Sequence, residues 1–112
     1  MRKEDLKIRD KIRRKAEDPG TDAPLKIAFL GDSVTHGCFE VVEKSQGKFD
    51  CIYDHRAVYH NRLKERIESV FPNCPVSILN AGISGGSAEQ GANRVQRDIV
   101  SAAPDLAVVC FG

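Results

Sequence analysis

Three short apolar runs, each leading into a glycine or a glycine-rich turn, constrain the fold most strongly. They read LKIAFLG at 25–31, PVSILN at 75–80 and DLAVVCFG at 105–112. Runs of this length that are apolar without alternation are typical of strands buried on both faces of a parallel sheet. Parallel neighbours need crossover connections, which are usually helices. The chain therefore predicts an α/β fold with a parallel sheet and flanking helices.

Amphipathic segments occupy the connections between these runs. Asp54 is predicted to cap a helix that ends before Pro72. The apolar face of this helix contains Tyr59, Leu63, Ile67 and Val70. Ser87 and Gln90 have the spacing of a capping box and predict the start of another helix. Its apolar face contains Ala88, Ala92, Val95, Ile99 and Ala103. The stretch from Thr35 to Tyr53 has no clear period and is predicted to be irregular, with at most a short helical turn.

The first 24 residues differ in composition from the rest of the chain. Residues 2–18 carry eight basic and five acidic residues around a thin apolar stripe of Leu6, Ile8, Ile12 and Ala16. This pattern predicts a solvated helix, and the interleaved acidic residues disfavour an RNA- or lipid-binding arm. Pro19, Gly20 and Pro24 mark a linker. We therefore divide the chain into a charged helical arm with its linker, 1–24, and a domain portion, 25–112.

The composition indicates which partners this protein is not expected to bind and in which cellular compartment we expect it. The 17 basic and 16 acidic residues give a net charge of +1, which offers no positive field for a nucleic-acid backbone. No apolar run approaches the roughly 18 residues of a membrane span. The four cysteines form no Cys-x-x-Cys pair, and the charged segment 1–16 lacks the apolar h-region of a secretory signal. We expect a cytoplasmic location, unrelated thiols and no metal site, nucleic-acid partner or membrane span.

Ser33 is the candidate nucleophile because it follows a buried strand at once, after Gly31 and Asp32. A serine hydroxyl needs a base to activate it and amide donors to stabilise the oxyanion. Glycines at 82, 85 and 86 can supply such donors. The competing interpretation is an N-cap or turn serine. Position 35 is Thr, so the stretch is not the G-x-S-x-G nucleophile elbow.

Three segments together carry a resemblance to a known family. FLGDSVTHG, ILNAGISGGSAEQGANR and PDLAVVCFG resemble the N-terminal portion of SGNH hydrolases, the GDSL-type esterases and lipases, over residues 27–112. The resemblance implies a flavodoxin-like sheet and a serine hydrolase acting on small-molecule esters, including acetylated carbohydrates, without a cofactor. It makes Ser33 the nucleophile and an oxyanion donor through its own amide. Gly85 would be the second amide donor, and Asp32 would fix the loop that carries Ser33.

Two further family blocks are not found in the sequence. The residue after Gly112 would be the asparagine that supplies a third oxyanion donor in the family. The family's Asp-x-x-His block is also absent, because Ser33, Ile52 and Ala57 stand three residues before the three histidines. We expect 25–112 to be a domain portion truncated after its third strand and weak or inactive alone. His36 is expected to be an exposed loop histidine rather than a substitute base.

Two other function classes stay open. The apolar third strand, 106–110, is expected to leave an open edge that invites pairing with another chain. A non-catalytic binding module, or self-association through this edge, is one alternative to the hydrolase. A phosphate or nucleotide site on the glycine-rich stretch 82–91 is the other, although that stretch lacks the Lys and Ser/Thr of a Walker loop.

Overall fold

The computed structural model describes residues 7–112, and Leu6 of the predicted stripe lies outside them. The helices are α1 (Lys7–Glu17), α2 (Ser33–His36), α3 (Tyr59–Val70) and α4 (Ala88–Asp98), and a 3₁₀ turn (Val100–Ala102) follows α4. The strands are β1 (Leu25–Gly31), β2 (Cys38–Ser45), β3 (Lys48–Tyr53), β4 (Val76–Gly82) and β5 (Leu106–Cys110). Strands β4, β1 and β5 form a parallel sheet in that order, which confirms the predicted α/β fold class.

The central strand β1 is buried on both faces, as its unbroken apolar run predicts. Leu25, Ile27 and Phe29 point to a core covered by α1 and α3. Ala28 and Leu30 point to the opposite face, where they pack with Val95 of α4 and with Ile99, which follows that helix. Alternate side chains of a strand lie on opposite faces, so one strand organises both layers of the fold.

Helix α1 is fastened to the sheet by charged contacts as well as by apolar packing. Ile8 and Ile12 pack on the core, and Lys11 Nζ donates to both carboxylate oxygens of Asp105 at 3.1 and 2.9 Å. The buried Lys15 ammonium donates to the carbonyls of Pro19 and Asp22. The predicted helix is thus confirmed over residues 7–17, and it is a packed element of the fold.

The segment after α2 is a β-hairpin, and the prediction of an irregular stretch at 35–53 is wrong. Strands β2 and β3 pair antiparallel across a turn at Gly47, whose φ is +75°. Register shifts between Cys38 and Glu40 and between Glu43 and Ser45 interrupt the alternation of apolar residues. Those irregularities hid the strand period in the sequence.

Helix boundaries depart from prediction at α3. The helix begins at Tyr59 with Val58 as an N-cap that makes no side-chain bond. Asp54 Oδ1 instead accepts the amides of Arg56 and Ala57, which forms a local turn before the helix. Tyr59 and Ile67 pack on the core, whereas Val70 of the predicted face is exposed.

Helix α4 begins where the capping box predicts, with both reciprocal Ser87 and Gln90 bonds present. Its predicted apolar face is only partly buried. Val95 and Ile99 pack on the core, and Ala88 and Ala92 are exposed. None of the helices found in residues 7–112 is both long and apolar enough to cross a membrane.

Candidate active site

The carboxyl ends of the parallel strands meet at one edge of the sheet. Gly31 at the end of β1 lies opposite Gly82 of β4 on one side and Cys110 of β5 on the other. The three segments picked out by sequence therefore converge there. In open α/β sheets, ligand sites form beyond this edge.

Asp32 ties two of these segments together. Its Oδ1 accepts the Val34 amide at 3.2 Å and caps α2, and its Oδ2 accepts the Gly112 amide at 3.0 Å. The Asp32 carbonyl also accepts the His36 amide at 2.9 Å. The carboxylate thus fixes the turn that carries Ser33 against the segment that follows β5.

Ser33 is the first residue of α2 and is half-buried. An α-helix leaves the amides of its first turn without intrahelical partners. Within residues 7–112, neither the Ser33 amide nor its hydroxyl makes a hydrogen bond. The same residues contain no histidine bonded to Ser33, so the structure holds a nucleophile candidate without a base beside it.

The glycine-rich turn after β4 leaves one amide available. The Gly82 amide donates to Asn80 Oδ1, and the Gly86 amide donates to the Ile83 carbonyl. The Gly85 amide has no hydrogen-bond partner in the part of the chain that the structure describes. Gly85 has a φ of +79°, a region that L side chains rarely adopt. The turn therefore offers a single free donor rather than a cradle of several.

Gly82 allows α2 to lie directly on β4. A Cβ on Gly82 would stand 2.2 Å from the His36 nitrogen and 2.6 Å from the Thr35 carbonyl carbon. Such distances are far below any tolerated contact. The glycine is thus what brings the Ser33 segment and the 82–86 turn into contact.

Tyr59 and His60 of α3 hold α2 in place through bonds to Thr35, a role that the sequence does not indicate. The buried Thr35 hydroxyl lies 2.8 Å from the Tyr59 hydroxyl, and the ring of His60 bonds to the Thr35 carbonyl through Nε2 at 2.9 Å. Both rings also pack on Phe29. His60 is thus a buried residue that packs on the core and holds α2.

Arg94 is a second contributor that the sequence did not reveal. Its guanidinium donates to the Ala81 carbonyl at 2.7 Å and the Gly31 carbonyl at 3.2 Å, at the ends of β4 and β1. It also pairs with Asp98 at 3.0 Å on the next turn of α4. Arg94 therefore holds the two strand ends in register. The bonds are to backbone carbonyls, which leave no pattern in a sequence.

His36 is not the exposed loop histidine that was expected. It is half-buried at the end of α2, and its Nδ1 accepts the Ser84 amide at 3.1 Å. The Tyr53 ring lies 4.3 Å from the His36 ring, centroid to centroid. Burial, and then the charge of His55, lower the pKa of His36 below its usual value. With Nδ1 engaged by Ser84, His36 is also unsuited to act as the base for Ser33.

No grouping of three or more His, Cys, Asp or Glu side chains suited to a metal ion occurs in residues 7–112. The four cysteines are free thiols.

Comparison with known proteins finds esterases that resemble this chain in sequence and in structure. The acetylxylan esterase of Geobacillus stearothermophilus is 26% identical over 87 residues, 78% of this chain and 38% of that protein. A two-domain esterase active on acetylated mannans superposes with a TM-score of 0.67 at 27% identity, over 95% of this chain and 24% of its own. These matches relate the chain to the SGNH hydrolases. No family model matches it.

The SGNH relationship extends to a further solved structure. The lipase/acylhydrolase of Enterococcus faecalis is 27% identical with a TM-score of 0.53, over 79% of this chain and 38% of its own. The chain thus spans between about a quarter and two fifths of the length of these SGNH relatives. They share the mixed α/β architecture seen here.

Proposed function

We propose that residues 25–112 are the N-terminal portion of an ester-hydrolysing domain in which Ser33 is the nucleophile. The observation that carries the proposal is the pair of free amides, Ser33 and Gly85, on adjoining segments at the carboxyl edge of the sheet. An acyl-transfer site needs a hydroxyl next to amide donors that await an oxyanion. Asp32 keeps that hydroxyl in place by capping α2.

The reaction proceeds by acyl transfer. The Ser33 oxygen attacks the ester carbonyl, its proton passes to a general base, and the oxyanion accepts hydrogen bonds from the Ser33 and Gly85 amides. Collapse of the tetrahedral intermediate expels the alcohol, which takes up the proton. Water then hydrolyses the acyl-serine in the same manner and restores the hydroxyl.

The base comes from outside the 112 residues. His36 is engaged by Ser84 and His60 by Thr35, and no histidine in this sequence follows an aspartate at the Asp-x-x-His spacing. We propose that the 112 residues alone turn over esters weakly or not at all, since triad members act as a unit.

The proposed substrate is an acetyl ester on a carbohydrate. Two of the related proteins act on acetylated polysaccharides, one named for acetylxylan and one active on acetylated mannans. The present residues contribute the nucleophile and the amide donors, which act on the ester group whichever alcohol is esterified. We further propose that the protein acts in the cytoplasm and that 1–24 is a charged helical arm and linker whose helix packs on the domain portion.

The test uses the natural protein that contains residues 1–112, with p-nitrophenyl acetate and an acetylated xylo-oligosaccharide as substrates. Ser33→Ala should lower kcat by several orders of magnitude. The matched control Ser69→Ala removes a hydroxyl whose hydrogen bond within residues 7–112 is to the Arg66 carbonyl, and it should leave kcat unchanged. Equal turnover in Ser33→Ala and wild type would end the proposal.

A binding module is the second candidate, and one observation favours it. Strand β5 is an edge of the sheet among the described residues, and Leu106 and Val109 on it are exposed, Val109 by 65%. An open apolar edge can pair with a second chain. Concentration-dependent dimerisation in sedimentation velocity, with no ester turnover by the natural protein, is the outcome that supports this alternative.

A further inference from the structure

His36 and Ser84 connect the two segments that carry the proposed amide donors. The Ser84 amide donates to His36 Nδ1 at 3.1 Å, and Ser84 Oγ lies 3.2 Å from the same nitrogen. His36 ends the helix that begins at Ser33, and Ser84 directly precedes Gly85. We infer that His36 is a positioning residue that fixes the Gly85 amide relative to Ser33. The inference rests on the proposed function.

The contact between His36 and Ser84 restricts the orientation of the Gly85 amide, because Ser84 and Gly85 are joined by one peptide bond. The Gly85 nitrogen belongs to the planar peptide unit that starts at the Ser84 carbonyl carbon, so fixing Ser84 restricts that plane. The neighbouring peptides are already held, because the Ile83 amide donates to the Gly31 carbonyl and the Gly86 amide donates to the Ile83 carbonyl. Ser84 is the remaining residue of the turn, and its amide is held by His36.

The β2–β3 hairpin supports the same contact from the other side. The Tyr53 hydroxyl lies 3.0 Å from Ser84 Oγ, while the Tyr53 ring packs on the His36 ring. In one arrangement of the protons, Tyr53 donates to Ser84 Oγ, and the Ser84 amide and hydroxyl share the single lone pair of Nδ1. The Asn80 amide group donates to the His36 carbonyl at 3.0 Å. His36 is therefore held by β3, β4 and its own helix.

The contact requires a neutral imidazole. A backbone amide can only donate, so Nδ1 must carry no proton, and the neutral ring then has its proton on Nε2. Burial, followed by the charge of His55, lowers the pKa of His36 and so favours the neutral ring. A further fall in pH protonates Nδ1, which then opposes the Ser84 amide as a second donor. The rings of Tyr53 and His55 lie next to the His36 ring, and Cys51 bonds to Ser84 and Tyr53. The other titratable groups on the elements around His36 are Asp32, Cys38, Glu40, Glu43, Lys44, Lys48, Asp50 and Asp54.

The experiment compares two His36 variants of the natural protein containing residues 1–112, with p-nitrophenyl acetate as substrate. His36→Phe keeps a ring but removes the acceptor. Removing one oxyanion donor costs about 10²–10³ in kcat, so mispositioning one should lower kcat about tenfold to a hundredfold with little change in KM. His36→Asn places an amide oxygen near the position of Nδ1 and should restore most of that loss.

The pH profile separates positioning from packing. His36→Asn cannot titrate, so its kcat relative to wild type should rise as the pH falls from about 8 to about 5. His55→Asn removes the nearby charge, so it should move the acid limb of the wild-type profile to higher pH. Where His36→Phe does not fold, this comparison of His36→Asn with wild type decides the question.

Hydrogen exchange gives a readout that does not depend on turnover. The Ser84 amide should exchange faster in His36→Phe than in wild type and should be protected again in His36→Asn. An unchanged kcat and unchanged Ser84 exchange in His36→Phe would overturn the inference, as would identical losses in the two His36 variants. Ser33→Ala is measured in parallel. If it stays active, the proposed function fails, and Ser84 exchange still tests the contact itself.

Discussion

Strand β1 and the β2–β3 hairpin are both rich in apolar residues, yet they are stabilised in different ways. Phe29 of β1 is 1% exposed and contacts Tyr59 and His60, whereas Phe39 and Phe49 of the hairpin are 69% and 65% exposed. Strand β1 has a paired strand on each side and packed helices on each face. The hairpin strands pair with each other.

The difference separates residues that stabilise the fold from residues that adjust the site. Burial of apolar area contributes most of the folding free energy, so substitutions in β1 act on stability. The hairpin buries little, but it delivers Tyr53 to Ser84 and His36. Substitutions there are expected to change turnover before they change stability.

The largest expected effect is on the β1 side. Phe29→Ala removes a fully buried ring and should lower the free energy of unfolding by about 3–5 kcal/mol. The matched hairpin variant Phe49→Ala should change it by less than about 0.5 kcal/mol. Urea unfolding followed by circular dichroism measures both. Similar losses for the two variants would remove the distinction between the two regions.

A smaller loss is expected where the sheet meets the site. Gly82→Ala would place a Cβ 2.2 Å from the His36 nitrogen, so the backbones must separate at a cost of about 1–3 kcal/mol. Gly85→Ala meets no atom within 4 Å, and only its φ of +79° opposes it. Gly85→Ala should therefore lower the free energy of unfolding by about 1 kcal/mol. Urea midpoints of the two variants compare steric overlap with backbone strain.

A pH-dependent effect is expected at α4. Arg97 and Arg94 lower the pKa of Asp98 to about 2, from an ordinary value of 3.8. Because the folded-state pKa is depressed, the stabilisation is complete above about pH 4 and is lost as the pH falls towards about 2. With partial solvent screening, Asp98→Asn should cost on the order of 1 kcal/mol at neutral pH. The difference from wild type should vanish in acid, which thermal unfolding across pH can measure.

The smallest effect is expected at the hairpin surface. Lys44 Nζ lies 2.7 Å from an Asp50 oxygen, but both side chains are largely exposed. Surface ion pairs contribute little after screening and side-chain entropy. Lys44→Ala should leave the urea midpoint within experimental scatter, whatever the salt concentration. A clear shift that disappears in high salt would show that the hairpin depends on this pair.

The sequence predicts β1 and the sheet well because burial on both faces leaves an unbroken apolar run. It predicts the start of α4 because a capping box is a local pattern that Ser87 and Gln90 complete within four positions. The sequence does not predict the hairpin, because two register shifts interrupt the alternation of apolar and polar residues along its strands. The prediction that Asp54 caps α3 is wrong, because its carboxylate accepts the amides of a separate turn before the helix.

Only part of the candidate site can be predicted from the sequence, because the rest depends on contacts between distant residues. Ser33 and Gly85 belong to motifs, so the sequence pattern makes them candidates. His36 acts through Ser84, which is 48 residues away, and Arg94 acts through the carbonyls of Gly31 and Ala81. Contacts across such separations depend on tertiary packing, and bonds to backbone groups do not require a particular side chain at the partner position.

Covalent trapping tests the central claim, that Ser33 is the nucleophile, most directly. The natural protein containing residues 1–112 is treated with a p-nitrophenyl phosphonate ester until turnover stops, and its peptides are mapped by mass spectrometry. The account predicts one phosphonyl group, on Ser33, in proportion to the activity lost. Loss of turnover with the phosphonyl group on another residue, or turnover that persists after Ser33 is fully labelled, would contradict it.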